Sequence, residues 1–258
     1  MKLKKVIYFL SFSCAAFAQE NELETRILSA YHGLDELPRR ANIFCGTDVA
    51  GEDGMPITFS SQINGETVAP NAFVVETSSG NFAIPLCATL RPAFEPLENR
   101  TVLLIGPFGT ADSPPVSVEV VERLEDVAGN SLVGLKINSI TALESGPSLV
   151  FAERFAPDQS GLEGECPGET EQAVLLTWEG GVTGPQSADL SEPQRAGMTI
   201  LLENGDRVNP IHLGDDDPDN HVIACLTESS PAISVNVQAG LYYDPGDDAN
   251  PETSVNVN

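Results

Sequence analysis

The sequence predicts an all-β protein that consists of two tandem β-sandwich modules, with a short helix before them. Three observations predict this fold: short apolar runs of strand length recur along the chain, turn-forming residues separate them, and the two halves carry a faint internal repeat. The turn formers include 22 glycines and 19 prolines among the 258 residues. Strand signals at such spacing are typical of sandwiches.

The N-terminus has the three parts of a secretory signal. Residues 1–5 carry three lysines, residues 6–15 are almost wholly apolar, and residues 16–18 (Ala-Phe-Ala) have the small-x-small form of a signal-peptidase site. The apolar stretch is too short to span a bilayer, and no later apolar run of the sequence is long enough. The sequence therefore predicts a signal peptide over residues 1–18 and a secreted or periplasmic protein. A lipoprotein anchored through Cys14 is the alternative.

Residues 20–34 are the segment with helical periodicity. Its apolar residues at helical spacing are Leu23, Ile27, Tyr31 and Leu34. Gly33 can end such a helix, and His32 near that end is favourable for the helix dipole. The sequence therefore predicts an N-terminal helical segment over residues 19–40.

The predicted strands begin at residue 55. In the first part of the chain they are residues 55–59, 72–75, 82–86, 101–105, 116–121, 132–137 and 148–151. In the second part they are residues 173–178, 198–202, 221–226, 233–237 and 241–243. These strands predict one sandwich over residues 41–140 and a second over residues 141–258.

The internal repeat consists of two short matches. Residues 64–70 match residues 204–210 at an offset of 140 residues, and residues 81–87 resemble residues 220–225. A repeat of this size is typical of two copies of one module.

Four cysteines remain after removal of the signal, and they predict disulfide bonds. An even number in an exported chain is typical of paired cysteines, and four cysteines allow three pairings. Their long spacings and the lack of a CxxC pair argue against a zinc site or a redox motif. The repeat selects one bridge inside each copy, which joins Cys45 to Cys87 and Cys166 to Cys225.

Motifs in the first half resemble a known family of domains. Residues 56–60 (Pro-Ile-Thr-Phe-Ser), 65–68 and 71–75 are similar to the start of the bacterial Ig-like domain first described in surface-layer proteins. Residues 126–130 (Asp-Val-Ala-Gly-Asn) are similar to the end of that domain. The Gly-Asn pair in this motif tolerates positive φ and can turn the chain between strands.

The resemblance covers about residues 56–135, a third of the chain. It implies an Ig-like sandwich, in which we expect Phe59 and Phe73 to point into the core. Domains of this type mostly serve as spacers or display modules, although fold alone does not assign a function. The chain departs from the family in its cysteines, and its second half has no Asp-x-Ala-Gly-Asn ending.

The mature chain is strongly acidic. Loss of the three lysines of the signal changes the formal net charge from −25 to −28 and leaves Lys136 as the remaining lysine. Such a surface repels nucleic acid and anionic lipid headgroups, so we expect neither as a partner. The charge favours a solvated face adapted to saline surroundings over a surface that collects divalent cations.

One acidic hairpin is the candidate metal site. The residues that could bind a divalent ion there are Asp215, Asp217, Asp219, His212 and His221. The three aspartates take positions 1, 3 and 5 of an EF-hand loop, but position 6 is Asn220 and position 12 is Leu226, so the EF-hand pattern fails. A looser calcium cage from these aspartates, or from Asp244, Asp247 and Asp248, is an alternative to a solvated acidic loop.

The sequence shows little sign of catalysis. It has no Gly-x-Ser-x-Gly elbow, no histidine in a triad context and no glycine loop for phosphate. Nothing singles out a pair of carboxylates for glycoside cleavage. Trp178, Tyr242 and Tyr243 are candidates for a sugar-stacking face, but a lone tryptophan in an apolar run is more often a core residue.

We therefore predict an exported, non-catalytic β-sandwich protein with a structural, adhesive or surface-display role. Its expected partners are a cell-surface protein or a glycan, and it needs no cofactor except, at most, calcium or another divalent cation. The alternatives are a carbohydrate- or calcium-dependent binding module and a secreted hydrolase that uses carboxylates.

Overall fold

The computed structural model describes residues 25–32, 34–93, 95–142, 144–214 and 219–258. The predicted signal peptide, Cys14 and the first residues of the predicted helix lie outside these ranges. Within them, no helix combines the length and the apolar character that a membrane crossing requires.

The first half of the described chain forms two antiparallel sheets. Its strands are β1 (Ile27–Ala30), β2 (Asp53–Phe59), β3 (Phe73–Thr77), β4 (Phe82–Ala83), β5 (Cys87–Thr89), β6 (Thr101–Gly106), β7 (Pro115–Val120) and β8 (Lys136–Ile137). One sheet has the order β1-β2-β6-β5 and the other β4-β3-β7-β8. The sheets enclose a core in which Phe59 and Phe73 are fully buried, as predicted. A short helix, α1 (Asn42–Cys45), lies between β1 and β2.

The second half repeats this arrangement. Its strands are β9 (Leu149–Phe155), β10 (Gln172–Trp178), β11 (Met198–Leu202), β12 (Arg207–Val208), β13 (His212–Gly214), β14 (His221–Leu226), β15 (Ala232–Val237) and β16 (Thr253–Asn256). The sheet orders are β13-β14-β10-β9 and β12-β11-β15-β16. A short helix, α2 (Glu192–Ala196), precedes β11 and is opened by a capping box in which Ser191 and Gln194 hydrogen-bond.

Both sandwiches have the strand order of an Ig-like fold. In the lettering of Ig domains, the sheets of each sandwich are ABED and C′CFG. In each sandwich, the segment that follows the last strand returns to the other sheet. There it makes one parallel bridge beside the edge strand, β1 or β9. Tyr31 is bridged to Thr141 in the first sandwich, and Ala152 is bridged to Val257 in the second. The predicted fold class, all-β with two tandem Ig-like sandwich modules, is confirmed.

The helix predicted over residues 20–34 is wrong in the described part of that segment. Residues Ile27–Ala30 form strand β1, in which Ala30 lies opposite Ile57 of β2. The spacing of four residues between Ile27 and Tyr31 fits a strand as well as a helix, because side chains four residues apart share a face in both. The α-helices of the described chain are α1 and α2 instead.

Most of the other predicted strands are present, with small changes at their ends. Residues 241–243 are an exception, because they form no strand and Tyr243 makes only isolated bridges to Thr183 and Ala249. The sequence also missed β5, β12, β13 and β16, which are edge strands of two to four residues. Strands this short carry too few apolar residues to show alternation.

The two sandwiches correspond in topology, but not through the sequence match at an offset of 140 residues. Residues 64–70 connect β2 to β3, whereas residues 204–210 contain the end of the turn after β11, strand β12 and the two residues that follow it. The equivalent turn of the first sandwich joins β3 to β4, and there Gly80 has φ 79°, close to the 91° of Gly205. The shared Asn-Gly letters therefore reflect the chemistry of two different turns.

The predicted disulfide pairing is confirmed. Cys45 is bonded to Cys87 and Cys166 to Cys225, and the two bonds close loops of 42 and 59 residues. Cys45 and Cys166 occupy equivalent loops, which run from β1 to β2 and from β9 to β10. Their partners lie on different strands, because Cys87 belongs to the edge strand β5 and Cys225 to the interior strand β14.

Each disulfide holds a loop over the outer face of a sheet. In the first sandwich the loop buries Ala41 and Val49 against Leu103 and Ile105 of β6. In the second sandwich the equivalent cluster contains Leu162, Ala173, Leu175, Ile223 and Cys225. The sheets β1-β2-β6-β5 and β13-β14-β10-β9 are therefore each covered on one face by the other sheet of the sandwich and on the opposite face by a loop.

Candidate metal centre at the junction of the two sandwiches

Tyr31 is the central side chain of the junction between the two sandwiches. It follows β1, it is fully buried, and its hydroxyl donates to Asp244 Oδ2 at 2.6 Å and lies 2.8 Å from the carbonyl oxygen of Ser145. Burial, and then the hydrogen bond to Asp244, raises the pKa of Tyr31 far above its ordinary value. The ring packs on Gly180, where a Cβ would lie 2.5 Å from Tyr31 Cδ1.

Glu179 anchors the connection between the sandwiches from the other side. Its Oε1 accepts from Thr141 Oγ1 at 2.8 Å, and its Oε2 accepts from the backbone N–H of Ser148 at 3.0 Å. Burial raises the pKa of Glu179, and the hydrogen bonds from Thr141 and Ser148 oppose that shift. Thr141 is also the residue whose backbone bonds to β1, so one segment is held by both sandwiches.

Arg100 lies just before β6 in the chain, and its side chain reaches from the first sandwich to the second. Its Nη1 donates to the carbonyl oxygen of Ser60 at 3.0 Å, and its Nη2 donates to Glu153 Oε2 on β9 at 2.7 Å. The guanidinium lies 4.1 Å from the ring centroid of Phe151, and only 2% of Arg100 is exposed. Burial lowers the pKa of Arg100, and the nearby Glu153 carboxylate opposes that shift.

Asn220 makes a fourth polar contact across the junction. Its Nδ2 donates to Thr101 Oγ1 at 2.8 Å and to the carbonyl oxygen of Trp178 at 2.9 Å. The contact is buried, and it joins the start of β6 to the segment that leads into β14.

A buried His/carboxylate cluster lies in the same region. One ligand atom each from Glu98, Asp219 and His221 lies within 4.8 Å of the other two. The exposed fractions of these residues are 4%, 4% and 1%. Glu98 comes from the first half of the chain and the other two residues from the second, so the cluster spans the junction.

Backbone contacts fix the position of this cluster. The carbonyl oxygen of Asp219 accepts from the N–H of Val182 at 2.8 Å, and that of Asn220 accepts from the N–H of Trp178 at 2.8 Å. Asp219 Oδ1 also accepts from the N–H of His221 at 2.7 Å. Backbone hydrogen bonds therefore hold Asp219 and His221 at the start of the interior strand β14.

Strand alternation directs His221 outward from the sandwich core. Val222 faces the core, so His221 and Ile223 face the opposite side of β14. Leu97 of the first half packs on the same outer cluster as Ile223. This packing brings Glu98, the next residue, to the histidine.

The imidazole of His221 has no hydrogen-bond partner at either ring nitrogen within the described part of the chain. Asp219 Oδ1 lies 3.7 Å from Nδ1, which is too long for a hydrogen bond. Buried polar groups are normally hydrogen-bonded, so an exception calls for an explanation.

The structure brings together two of the five residues that the sequence proposed for a metal site. Asp219 and His221 belong to the cluster, whereas His212 is exposed on β13, opposite Cys225. Asp215 and Asp217 lie outside the described residues. The sequence missed Glu98, because nothing local to that residue links it to a histidine in the other half of the chain.

The second aspartate group serves the loop that receives Tyr31. Besides the contact to Tyr31, Asp244 accepts through Oδ1 from the N–H of Asp248 at 2.8 Å. Asp247 Oδ1 accepts from the N–H of Gln186 at 2.7 Å. The carboxylates of Asp244 and Asp247 therefore accept hydrogen bonds that hold this loop in place.

Two cavities border the junction. A groove of about 550 Å³ is lined in part by Asp35, Arg40 and Asp248, and a smaller cavity of about 80 Å³ is lined in part by Asp219 and Asn220. Their shared lining residues are Leu34, Pro92, Leu103 and Pro245. Asp219 of the buried cluster therefore borders the smaller cavity, which shares part of its wall with the groove.

The aromatic residues considered for sugar stacking are mostly buried. Trp178 and Tyr242 are fully buried and stack on each other, with ring centroids 4.6 Å apart. Burial raises the pKa of Tyr242 above its ordinary value. The interpretation of Trp178 as a core residue is confirmed, and a sugar-stacking face from Trp178 and Tyr242 is wrong.

His32, predicted near a helix end, instead lies 3.4 Å from Asp53 Oδ2 through Nε2.

Comparison with known proteins gives distant structural likeness only. No family model matches the chain, and no curated protein matches it. Domains 1–6 of the surface-layer protein SbsC align with 92% of this chain at 11% identity and a TM-score of 0.32. The S-layer protein rSbsC(31-844) aligns with 91% at 11% identity and a TM-score of 0.28. The chain spans 41% of the length of either structure.

Proposed function

We propose that this protein is an exported, non-catalytic structural protein whose two Ig-like sandwiches act as one rigid spacer. The observation that carries the proposal is the junction between the sandwiches. Its polar side chains are buried and hydrogen-bonded across the two halves, with 0% of Tyr31, 2% of Arg100 and 5% of Asn220 exposed.

Separation of the sandwiches would expose the junction at a cost. The Tyr31 hydroxyl, the Arg100 guanidinium and the Glu179 carboxylate would lose partners that the junction supplies. Hydrogen bonds to charged groups contribute about 1.5–3 kcal/mol each, which favours the joined state. A spacer needs this property, because a flexible connection would not hold its ends at a fixed distance.

The disulfides support an extracytoplasmic location. Bonds of this kind form and persist in oxidising compartments, such as the bacterial periplasm and the cell surface. Each sandwich has one bond that holds a covering loop, so the fold depends on that environment in both halves. The predicted cell-surface protein or glycan partner remains a prediction.

The export step is tested by a reporter fusion. Residues 1–18 with the next few residues are joined to an alkaline phosphatase that lacks its own signal, in a Gram-negative host. Alkaline phosphatase needs disulfides for activity, so we expect activity only after export. The control is the same fusion without residues 6–15, which we expect to be inactive. Equal activity of the two fusions would remove export from the proposal.

A further inference from the structure

We propose that Glu98, Asp219 and His221 form a binding site for a divalent transition-metal ion that joins the two sandwiches. The inference goes beyond the spacer function, which needs only a rigid junction. Its basis is the buried cluster, in which one ligand atom from each residue lies within 4.8 Å of the others.

The unpartnered imidazole is the observation that points to a ligand. His221 is 1% exposed, and neither Nδ1 nor Nε2 has a hydrogen-bond partner among the described residues. A buried nitrogen without a partner destabilises the fold, whereas coordination of an ion uses its lone pair. The carboxylates of Asp219 and Glu98 beside it supply negative charge that attracts a cation.

The donor set selects the class of metal. One imidazole nitrogen and two carboxylate oxygens suit zinc and other first-row divalent ions, which accept mixed nitrogen and oxygen ligands. Calcium prefers an all-oxygen set of six to eight ligands, so His221 is a poor ligand for it. Three protein ligands leave at least one position for water.

The geometry is suited to binding with little rearrangement. Bonds of about 2.1 Å place the ligands of one zinc ion about 3–4 Å apart, so small side-chain rotations suffice from a cluster within 4.8 Å. Asp219 is held by backbone and side-chain hydrogen bonds at the start of β14. Asp219 also lines the small cavity, whose wall shares Leu34, Pro92, Leu103 and Pro245 with the groove at the junction.

A bound ion would join residues from both halves of the chain. Glu98 precedes β6 of the first sandwich, whereas Asp219 and His221 precede and begin β14 of the second. Because the complete site exists only in the joined form, the ion binds that form in preference to the unfolded chain. The melting temperature should therefore rise with zinc concentration.

The test is a zinc titration of the mature full chain, residues 19–258, after metal is removed with a chelator. Isothermal titration calorimetry should show one tight site per chain above the weak background of the acidic surface. Differential scanning calorimetry should show a higher melting temperature with zinc, and calcium at the same concentration should give a smaller shift.

Two conservative variants locate the site. Glu98→Gln and His221→Gln should each lower the affinity of the tight site by roughly tenfold or more. His212→Gln is the matched control, because His212 is an exposed histidine of the same sandwich, and it should leave the tight site unchanged. Circular dichroism of each variant checks that its fold is retained.

A second measurement does not depend on the variants. In nitrogen-15 spectra of the wild-type chain, zinc should shift the ring nitrogens of His221 and leave those of His32 and His212 unchanged. The absence of a tight site, or a tight site that persists in Glu98→Gln and His221→Gln while the His221 ring stays unshifted, would overturn the proposal.

Discussion

At the scale of the residue, Asp126 shows how one side chain of the Asp-Val-Ala-Gly-Asn motif closes a turn. Its carboxylate accepts from the N–H groups of Ala128 and Asn130 at 3.0 and 2.9 Å, from Asn130 Nδ2 at 3.0 Å and from Thr25 Oγ1 at 2.9 Å. Burial raises the pKa of Asp126, but the hydrogen bonds from Asn130, Thr25 and Ala128 together hold it below its ordinary value. Gly129 has φ 85°, which glycine adopts without strain.

The first prediction concerns this carboxylate. Asp126→Asn removes a charged acceptor of several hydrogen bonds, so we expect a loss of about 2 kcal/mol in the free energy of unfolding at pH 7. Because the folded pKa of Asp126 lies below the unfolded one, its stabilisation is present above pH ~4 and is lost as the pH falls through the folded pKa. Urea unfolding at pH 7 and pH 3 measures both effects.

The control for Asp126 is Asp112→Asn, which changes an exposed aspartate of the same sandwich. We expect it to leave the free energy of unfolding nearly unchanged at both pH values. A difference between wild type and Asp126→Asn that stays the same at pH 7 and pH 3 would contradict the role given to the charge.

At the scale of the element, the strands buried on both faces were predictable from the sequence, whereas the short edge strand β1 was not. The interior strands β2, β6, β10 and β14 were predictable, because each is an almost continuous apolar run buried on both faces. Strand β1 was not, because its short apolar spacing fits two kinds of secondary structure. That the four cysteines pair was predictable from their number and the compartment, but these allow three pairings, and the strands that carry the cysteines depend on the sheet register.

The second prediction is that each disulfide stabilises its own loop. Replacing Cys45 and Cys87 with serine should remove about 4 kcal/mol in the chain-entropy model, and replacing Cys166 and Cys225 should have a similar effect. Hydrogen exchange should rise in residues 34–52 for the first pair and in residues 156–171 for the second. Each double variant is the control for the other, and an equal rise in both loops would refute the assignment.

At the scale of the whole molecule, the junction was beyond the sequence. Its contacts join residues far apart in the chain, such as Tyr31 with Asp244 and Thr101 with Asn220, whose sequence separations are 213 and 119 residues. Two of the three residues of the candidate metal cluster were predictable, because Asp219 and His221 lie in one acidic stretch. Glu98 joins them only through the docking of the sandwiches, which no local pattern reports.

The third prediction concerns the close contact at the centre of the junction. Gly180→Ala places a methyl group against the Tyr31 ring, so it should loosen the docking and cost about 1–3 kcal/mol. Gly168→Ala is the matched control, because a Cβ at that glycine meets nothing within 4 Å. Thermal unfolding of the two variants measures the difference, and equal melting temperatures would contradict the packing described for Tyr31.

Residual dipolar couplings of the weakly aligned mature protein test the central claim most directly. Backbone N–H couplings from the first sandwich and from the second are fitted to the structure separately, and each fit gives an alignment tensor. If the two sandwiches form one rigid spacer, the tensors agree in magnitude and in orientation. Tensors that differ in magnitude would show that the sandwiches move independently, and the proposed spacer would be wrong.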